Sequence, residues 1–298
     1  MQYKIVELTC GLGNQMFQYA FAKSLEHHLQ MPILLDKTWF EVEGKKHSIP
    51  FSLDIFNIDL PYATQEQIAY AKEKIRYFES KPKIIRSILK RIGYPRATNS
   101  CATYDKYITE YLKPNSFTYF YGWFQNPLYF KGISSHIKKI LCPPPIKSEI
   151  NKHKLEQILQ AKNSVFIHIR RGDYLTHSCQ IDVSYHKKAV ATIVSKINNP
   201  QFFLFCADRE FAQNLDLGYP FVDMTTQEID ENNHYEDLIL MAHCQNGIVA
   251  NSTYSWWAAY LINNPHKIII APTPWLLGTD EIICENWIKI EAAKEVVL

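Results

Sequence analysis

Apolar positions in this chain recur with two periods, and the switches between them mark out the elements. Tyr3–Thr9 is a short apolar run that predicts a buried strand. Beyond it Leu12, Met16, Phe17, Ala20, Phe21 and Leu25 fall at helical spacing, predicting a helix to about Leu29. Ile33–Asp36 predicts a second strand, and the stretch from about 40 to 117 is mixed, with helical patterns at Thr64–Phe78 and Lys83–Ile92. Aromatic residues crowd Tyr104–Phe130, where Tyr119–Gln125 reads as a strand and Leu128–Leu141 as a helix. Such rings suit the C–H faces of sugars, but taken one by one they are better explained as core. Cys142-Pro143-Pro144-Pro145 is a stiff connector that cannot continue a helix, and it divides the chain into domains at 1–142 and 146–298.

After the prolines the alternation becomes regular. Helices are predicted at Ile146–Ala161, Ser184–Ile197, Arg209–Leu215, Tyr235–Cys244 and Tyr254–Ile262. Strands are predicted at Ser164–Arg170, Phe202–Ala207, Phe221–Met224, Gly247–Ala250 and Lys267–Ala271. Strands alternating with helices of this length imply a parallel, doubly wound α/β sheet, whose ligands bind at the carboxyl ends of the strands.

Those ends carry the polar residues. Val165-Phe166-Ile167-His168-Ile169-Arg170-Arg171-Gly172-Asp173-Tyr174 passes within a few positions from apolar strand to polar cluster. Side chains alternate, so Ile167 and Ile169 are expected in the packing while His168 and Arg170 emerge on the other face. Gly172 permits a sharp turn, and two adjacent guanidiniums call for a phosphate or carboxylate, a surface ion pair or an Arg-Gly-Asp adhesion tripeptide being the simpler alternatives. Asp208 ends the next strand, placed either to accept N–H donors such as the N1 and N2 edge of guanine or to cap the helix that follows. Asp223 has the same two readings. Asn251-Ser252-Thr253-Tyr254-Ser255 sets small hydroxyls between a strand and a helix start, a donor cluster for a diphosphate, with Ser252 or Ser255 alternatively a cap. Trp256 and Trp257 are expected between helix and sheet, and Glu236 and Asp237 are accounted for by the helix dipole. In the first half, Gly11-Leu12-Gly13-Asn14-Gln15 joins the first strand to the first helix, an anion-site arrangement that lacks the glycines of a dinucleotide fingerprint.

Composition narrows the classes. The 298 residues are 47% apolar and 21% charged, with a net charge of +2, which describes a soluble globular protein with no general electrostatic case for nucleic acid. Seven scattered cysteines with no C-x-x-C pair read mostly as core residues in a reducing compartment. The chain opens directly on a strand, and no window approaches a spanning helix. A mature cytosolic protein is expected, with peripheral membrane contact through clusters such as Lys81–Arg96 as the alternative to a solvated helix face. No two aspartates are separated by one residue, so no D-x-D element is present to hold a divalent ion on a diphosphate.

Three of these stretches, Gly11-Leu12-Gly13-Asn14-Gln15-Met16-Phe17, His168-Ile169-Arg170-Arg171-Gly172-Asp173-Tyr174 and Asn251-Ser252-Thr253-Tyr254-Ser255-Trp256-Trp257-Ala258-Ala259, together resemble the bacterial-type α-1,2-fucosyltransferases of glycosyltransferase family 11. The resemblance implies a GT-B-like fold of two Rossmann-like domains facing a cleft, GDP-β-L-fucose as donor, inversion to an α-linked product, and neither metal nor cofactor. It implies a C-terminal donor domain and an N-terminal acceptor side for a β-galactoside in a glycan or lipid-linked precursor. By it Arg170 holds the β-phosphate, Arg171 supports the loop, His168 and Asp208 read guanine, Ser252, Thr253 and Ser255 bind the diphosphate, and Asn251 belongs to the same substrate-binding segment. Gly11, Gly13, Asn14 and Gln15 form the opposing loop, with Asn14 approaching phosphate and fucose. Asp173 is a candidate base or a lock on the loop. Two alternatives stand beside this: another GDP-fucose-dependent enzyme (α-1,6 or protein O-linked), and a non-catalytic glycan-binding protein.

Overall fold

A computed structural model of the chain describes residues 3–98, 105–171, 180–226, 235–276 and 279–293. The chain divides between Cys142 and Pro143 into two compact units, at the start of the proline tract.

The first unit contains β1 (Lys4–Glu7), α1 (Leu12–Leu29), β2 (Ile33–Asp36), α2 (Gln65–Glu79), α3 (Lys83–Arg91), β3 (Tyr119–Phe120) and α4 (Ser134–Ile140). Its strands form a parallel sheet in the order β2-β1-β3, with Glu7 opposite Asp36 and Ile5 opposite Tyr119. Every residue of α1 from Leu12 to Leu25 is buried except Asn14. Phe21 of this helix stacks on Phe124 with ring centroids 4.0 Å apart and meets Phe120, Tyr111 and Tyr129 edge-on. The described aromatics between 105 and 130 are therefore largely core. Two expectations are corrected here. The strand starting at Tyr119 stops at Phe120, because Gly122 (φ 143°) and Phe124 (φ 49°) leave extended geometry. The helix expected over Leu128–Leu141 is instead a tight turn over Pro127–Ile133 followed by α4; Asn126 caps it by accepting from the Leu128 N–H, and Pro127 opens it.

The second unit contains α5 (Glu149–Gln160), β4 (Ser164–Ile169), α6 (Val183–Lys196), β5 (Gln201–Cys206), α7 (Arg209–Gln213), β6 (Phe221–Asp223), α8 (Glu236–Ala242), β7 (Asn246–Ile248), α9 (Thr253–Leu261), β8 (Ile269–Thr273) and β9 (Ile288–Glu291). All six strands are parallel, in the order β6-β5-β4-β7-β8-β9. β9 was not expected: it is an edge strand whose burial alternates at period two and whose polar half hides its apolar half from a search for apolar runs. Val165, Ile167 and Ile169 of β4 pack with Phe202 and Leu204 of β5 and with Tyr185, Ala189 and Ile193 of α6. Trp256 and Trp257 are fully buried, and the Trp256 indole N–H donates to the Ile282 carbonyl (2.8 Å).

Gly247 lies opposite Phe166 across β4 and β7, and a Cβ placed on it meets the Phe166 ring at 2.3 Å. A ring in a packed sheet face has nowhere to retreat, so overpacking costs about 1–3 kcal/mol. We expect Gly247→Ala to lower the unfolding free energy by that amount, read as a lowered urea midpoint at unchanged slope; an unchanged midpoint would show that the ring swings aside.

Of the five cysteines in the described residues, Cys206 and Cys244 are buried, Cys10 and Cys284 half-buried and Cys142 exposed. The core reading thus holds for two of them. Among the described residues no helix is long and apolar enough to cross a membrane.

Candidate active site

The strand order locates the site. In the second unit the sheet grows one way from β4 through β5 to β6 and the other way through β7 to β9, so the direction of winding switches between β4 and β7. At such a switch the connections leave toward opposite sides and open a crevice at the carboxyl ends of the two strands. β4 delivers His168, Arg170 and Arg171 to that point, and the segment after β7 delivers Asn251 and Ser252 ahead of α9.

Alternation along β4 sends His168 to the face opposite Ile167 and Ile169. Its ring is 7% exposed and sits 6.3 Å from the ring of Tyr254, in the first turn of α9. Burial, then the positive charge of Arg170, then His186 push the imidazole pKa down to about 3, so it is neutral in ordinary buffers. Its Nδ1 is buried with no hydrogen-bond partner among the described residues. A buried ring nitrogen left so costs about 1–3 kcal/mol, and a ligand that bonds to it recovers that energy. Arg170 is half-buried, and its charge acts on both His168 and Tyr254, which places the guanidinium on the α9 side of β4.

Arg171 is committed differently. Its Nε donates to Asp208 Oδ2 (3.0 Å) and its guanidinium lies 3.9 Å over the Phe211 ring. The other oxygen of Asp208 accepts from the Phe211 N–H (3.0 Å) as the cap of α7; that bond first, and Arg171 second, hold its carboxyl below the usual range. Asp208 thus caps a helix and anchors Arg171. Each of its oxygens already accepts one hydrogen bond within the chain. Asp223 likewise closes its own turn, accepting from the Thr225 N–H (2.9 Å).

The hydroxyl cluster separates by residue. Ser252 holds the cap position of α9 but its side chain caps nothing, and the first turn carries no acidic residue. The helix start therefore keeps its N–H donors and its partial positive charge for an anion. Asn251 and Ser252 are 4% and 5% exposed, and Thr253 is half-buried. Ser255 is fully buried, and its hydroxyl donates back to the Ser252 carbonyl (3.3 Å), which ties it to the helix start.

In the first unit the winding switches between β1 and β3, and the loops after those strands hold the other candidates. Gly11 is the exposed cap residue of α1, Gly13 is buried in the first turn, and a Cβ on Gly11 would meet nothing within 4 Å. The strained positions are elsewhere: Cys10 (φ 63°) and Phe124 (φ 49°) are non-glycine residues in left-handed conformation, one in each loop. Strain of about 1–3 kcal/mol per residue persists where the surroundings impose it, often at ligand sites. Between these loops Gln125 Nε2 donates to Asn14 Oδ1 (2.6 Å), which orients the half-buried Asn14 amide and leaves its NH2 as a donor. Gln15 is corrected to a scaffold residue. It is fully buried, donates to the Cys10 and Pro50 carbonyls (2.8 and 3.2 Å), and accepts from the Ser52 N–H (2.9 Å).

Several residues escaped the sequence reading. Gln18 ties both loops together, bonding to the Thr9 N–H and hydroxyl and to the Gly122 carbonyl, each at 2.9 Å. Gln125 and Tyr254 were unremarked, although a glutamine on an otherwise apolar helix face is a signal available for Gln18. Glu236 does not merely complement a dipole: its buried carboxylate accepts from the Lys147 and Ser148 N–H groups (2.6 and 3.1 Å) and from Asn151 Nδ2 (2.7 Å). Asp173, with 172–179, lies outside the described residues. Two grooves, of about 950 and 620 Å³, are lined by Pro32 and Ile33 in one unit and by Gln201 and Phe221 in the other, at the amino ends of strands, away from both switch points.

Comparison with known proteins agrees with this geometry. The chain is 29% identical to an Escherichia coli alpha-1,2-colitosyltransferase, over 98% of this chain and 100% of the relative. It is also 29% identical to the Escherichia coli O-antigen biosynthesis glycosyltransferase WbnK, over 95% and 99%. A Caenorhabditis elegans galactoside 2-alpha-L-fucosyltransferase is 30% identical over 49% of this chain and 43% of its own length. Among solved structures, NodZ alpha-1,6-fucosyltransferase soaked with GDP-fucose aligns with a TM-score of 0.51 at 14% identity, covering 90% of this chain and 94% of that one, a likeness of fold. Two parallel α/β sheets and this neighbour make the fold GT-B-like. The family model for glycosyl transferase family 11 matches residues 4–291, and this chain belongs to that family.

Proposed function

We propose that the chain transfers L-fucose from GDP-β-L-fucose to the 2-OH of a terminal β-galactoside, with inversion and without a metal. The observation that carries the donor half is the meeting of Arg170, His168 and the uncapped start of α9 at one switch point. The anomeric C–O bond to the β-phosphate breaks, and its electron pair leaves on GDP. The acceptor 2-OH oxygen bonds to the anomeric carbon from the opposite face and loses its proton. Arg170 and the helix N–H groups take up the charge that develops on the phosphate, with neutral His168 as a polar contact for the nucleotide. The oriented Asn14 amide serves the sugar side. Arg171 supports the Arg170 loop through Asp208. Relatives named for α-1,2 transfer and for O-antigen biosynthesis support this linkage and a surface-glycan precursor as acceptor.

The test is a turnover assay of the full chain with GDP-fucose and lactose or another β-galactoside, followed by linkage analysis. GDP release with an α-1,2 product is expected; an α-1,6 product, or no release across a panel of β-galactosides, overturns the reading. A second donor is favoured by the colitosyltransferase relative, so the GDP-linked colitosyl sugar belongs in the same assay. Within this reading we expect Gln125→Leu to lower kcat/KM about tenfold, the equivalent of one orienting hydrogen bond of roughly 1.4 kcal/mol. Unchanged kinetics in a variant with the same melting temperature would remove Asn14 from the sugar contact.

A further inference from the structure

Helix α3 has no buried residue, although four of its nine side chains are large and apolar. Ile84, Ile85 and Ile88 are 78%, 43% and 55% exposed, and Ile92, just beyond its end, is 71% exposed. Isolated exposed isoleucines need no explanation, but a contiguous set marks an interaction face. At the α-helical turn angle Ile84, Ile88, Ile92, Ile85 and Leu89 fall in that order on one arc about 140° wide. Lys83, Arg86, Lys90 and Arg91, with Ser87, fill the remainder, so cations border the apolar arc on both sides. Lys81 precedes them, 4.0 Å over the half-exposed ring of Tyr77, and no acidic residue occurs between Glu79 and Asp105. The chain as a whole carries only +2.

We propose that α3 is a membrane-docking helix that lays Ile84, Ile85, Ile88 and Ile92 into the headgroup boundary of an anionic bilayer leaflet while its flanking lysines and arginines bind lipid phosphates. The charge borders choose this occupant. A second copy packed ridge to ridge would bring like-charged borders together, whereas an anionic surface neutralises both edges at once. Long basic side chains reach from the helix flank to the phosphate plane without leaving the interface, and tyrosine at the rim is suited to the same depth. The helix is already formed and held at its end by the Tyr94 N–H donating to the Leu89 carbonyl (2.9 Å), so docking has little ordering entropy to overcome.

The experiment is flotation of the full chain with phosphatidylcholine vesicles with and without phosphatidylglycerol. Binding only to the vesicles containing phosphatidylglycerol is expected, weakened by salt and by about fivefold for each basic residue neutralised. The double variant Ile84→Asp/Ile88→Asp is expected to lose binding at least as far as Lys90→Gln/Arg91→Gln, both melting like the parent because these side chains face solvent. Failure of the parent to float, or undiminished flotation of the isoleucine variant, overturns the proposal. So does a concentration-dependent dimer that Ile84→Asp/Ile88→Asp dissolves while vesicle binding stays absent.

Discussion

Arg170→Ala is expected to lower kcat by about 100 to 1,000-fold, the roughly 3–4 kcal/mol typical of removing one preorganised charge donor from a developing anion. The argument starts from what the site offers a departing GDP. On the proposed reading, the positive charge that faces the phosphate comes from Arg170 and the first turn of α9. Arg170→Lys should lose most of the same activity, because an ammonium supplies a point charge where the guanidinium supplies a planar fork. Arg171→Ala is the informative contrast. Arg171 is tied through Nε to Asp208 and lies on Phe211, so its removal should destabilise the loop and act on turnover through Arg170. Steady-state kinetics together with GDP titration separate the two: Arg170→Ala should keep its melting temperature and lose both GDP affinity and kcat. Folded Arg170→Lys turning over at the parent rate would eliminate the phosphate role.

What was legible in the sequence was whatever depended on neighbours in sequence. The alternation of Val165, Ile167 and Ile169 with His168 along one strand is local, and so are the strand-end positions of Arg170 and Asn251; the structure keeps all of them. The roles that were misread depend on partners far along the chain. Gln15 looks like a ligand contact until Pro50 and Ser52 are seen to use its amide, and Glu236 looks like a dipole partner until the start of α5 arrives to take its carboxylate. Asp208 and Ser255 were undecided between ligand and cap, and their partners within the chain, Arg171 and the Ser252 carbonyl, sit at places that only the folded sheet and helix define. The loops of the first unit were hardest. Their turns are made by left-handed Cys10 and Phe124, residue types that give no turn signal.

The largest stability loss is expected from Glu236→Ala, about 3–5 kcal/mol, as for any buried charged partner removed from groups that stay behind. Glu236 is fully buried, and its three donors come from a segment on the far side of the sequence. Without the carboxylate, the Lys147 and Ser148 N–H groups are left at the start of α5 with no acceptor. Asn151, 1% exposed, is left with neither end of its amide bonded, since its Oδ1 has no partner even in the parent. Glu236→Gln should recover part of the loss, because it keeps one acceptor oxygen but loses the charge and points an NH2 at donors. The effect should reach the site as well. The same first turn of α8 gives the Leu238 N–H to the Tyr254 hydroxyl (2.9 Å), and Tyr254 stands beside His168. Loosening that turn should therefore raise the apparent Kd for GDP even under conditions where Glu236→Ala remains folded. Urea unfolding with an unchanged slope and a lowered midpoint checks the first half, and GDP titration the second. A midpoint shift worth less than about 1 kcal/mol would mean that water enters to satisfy those donors and that Glu236 is no keystone of this unit.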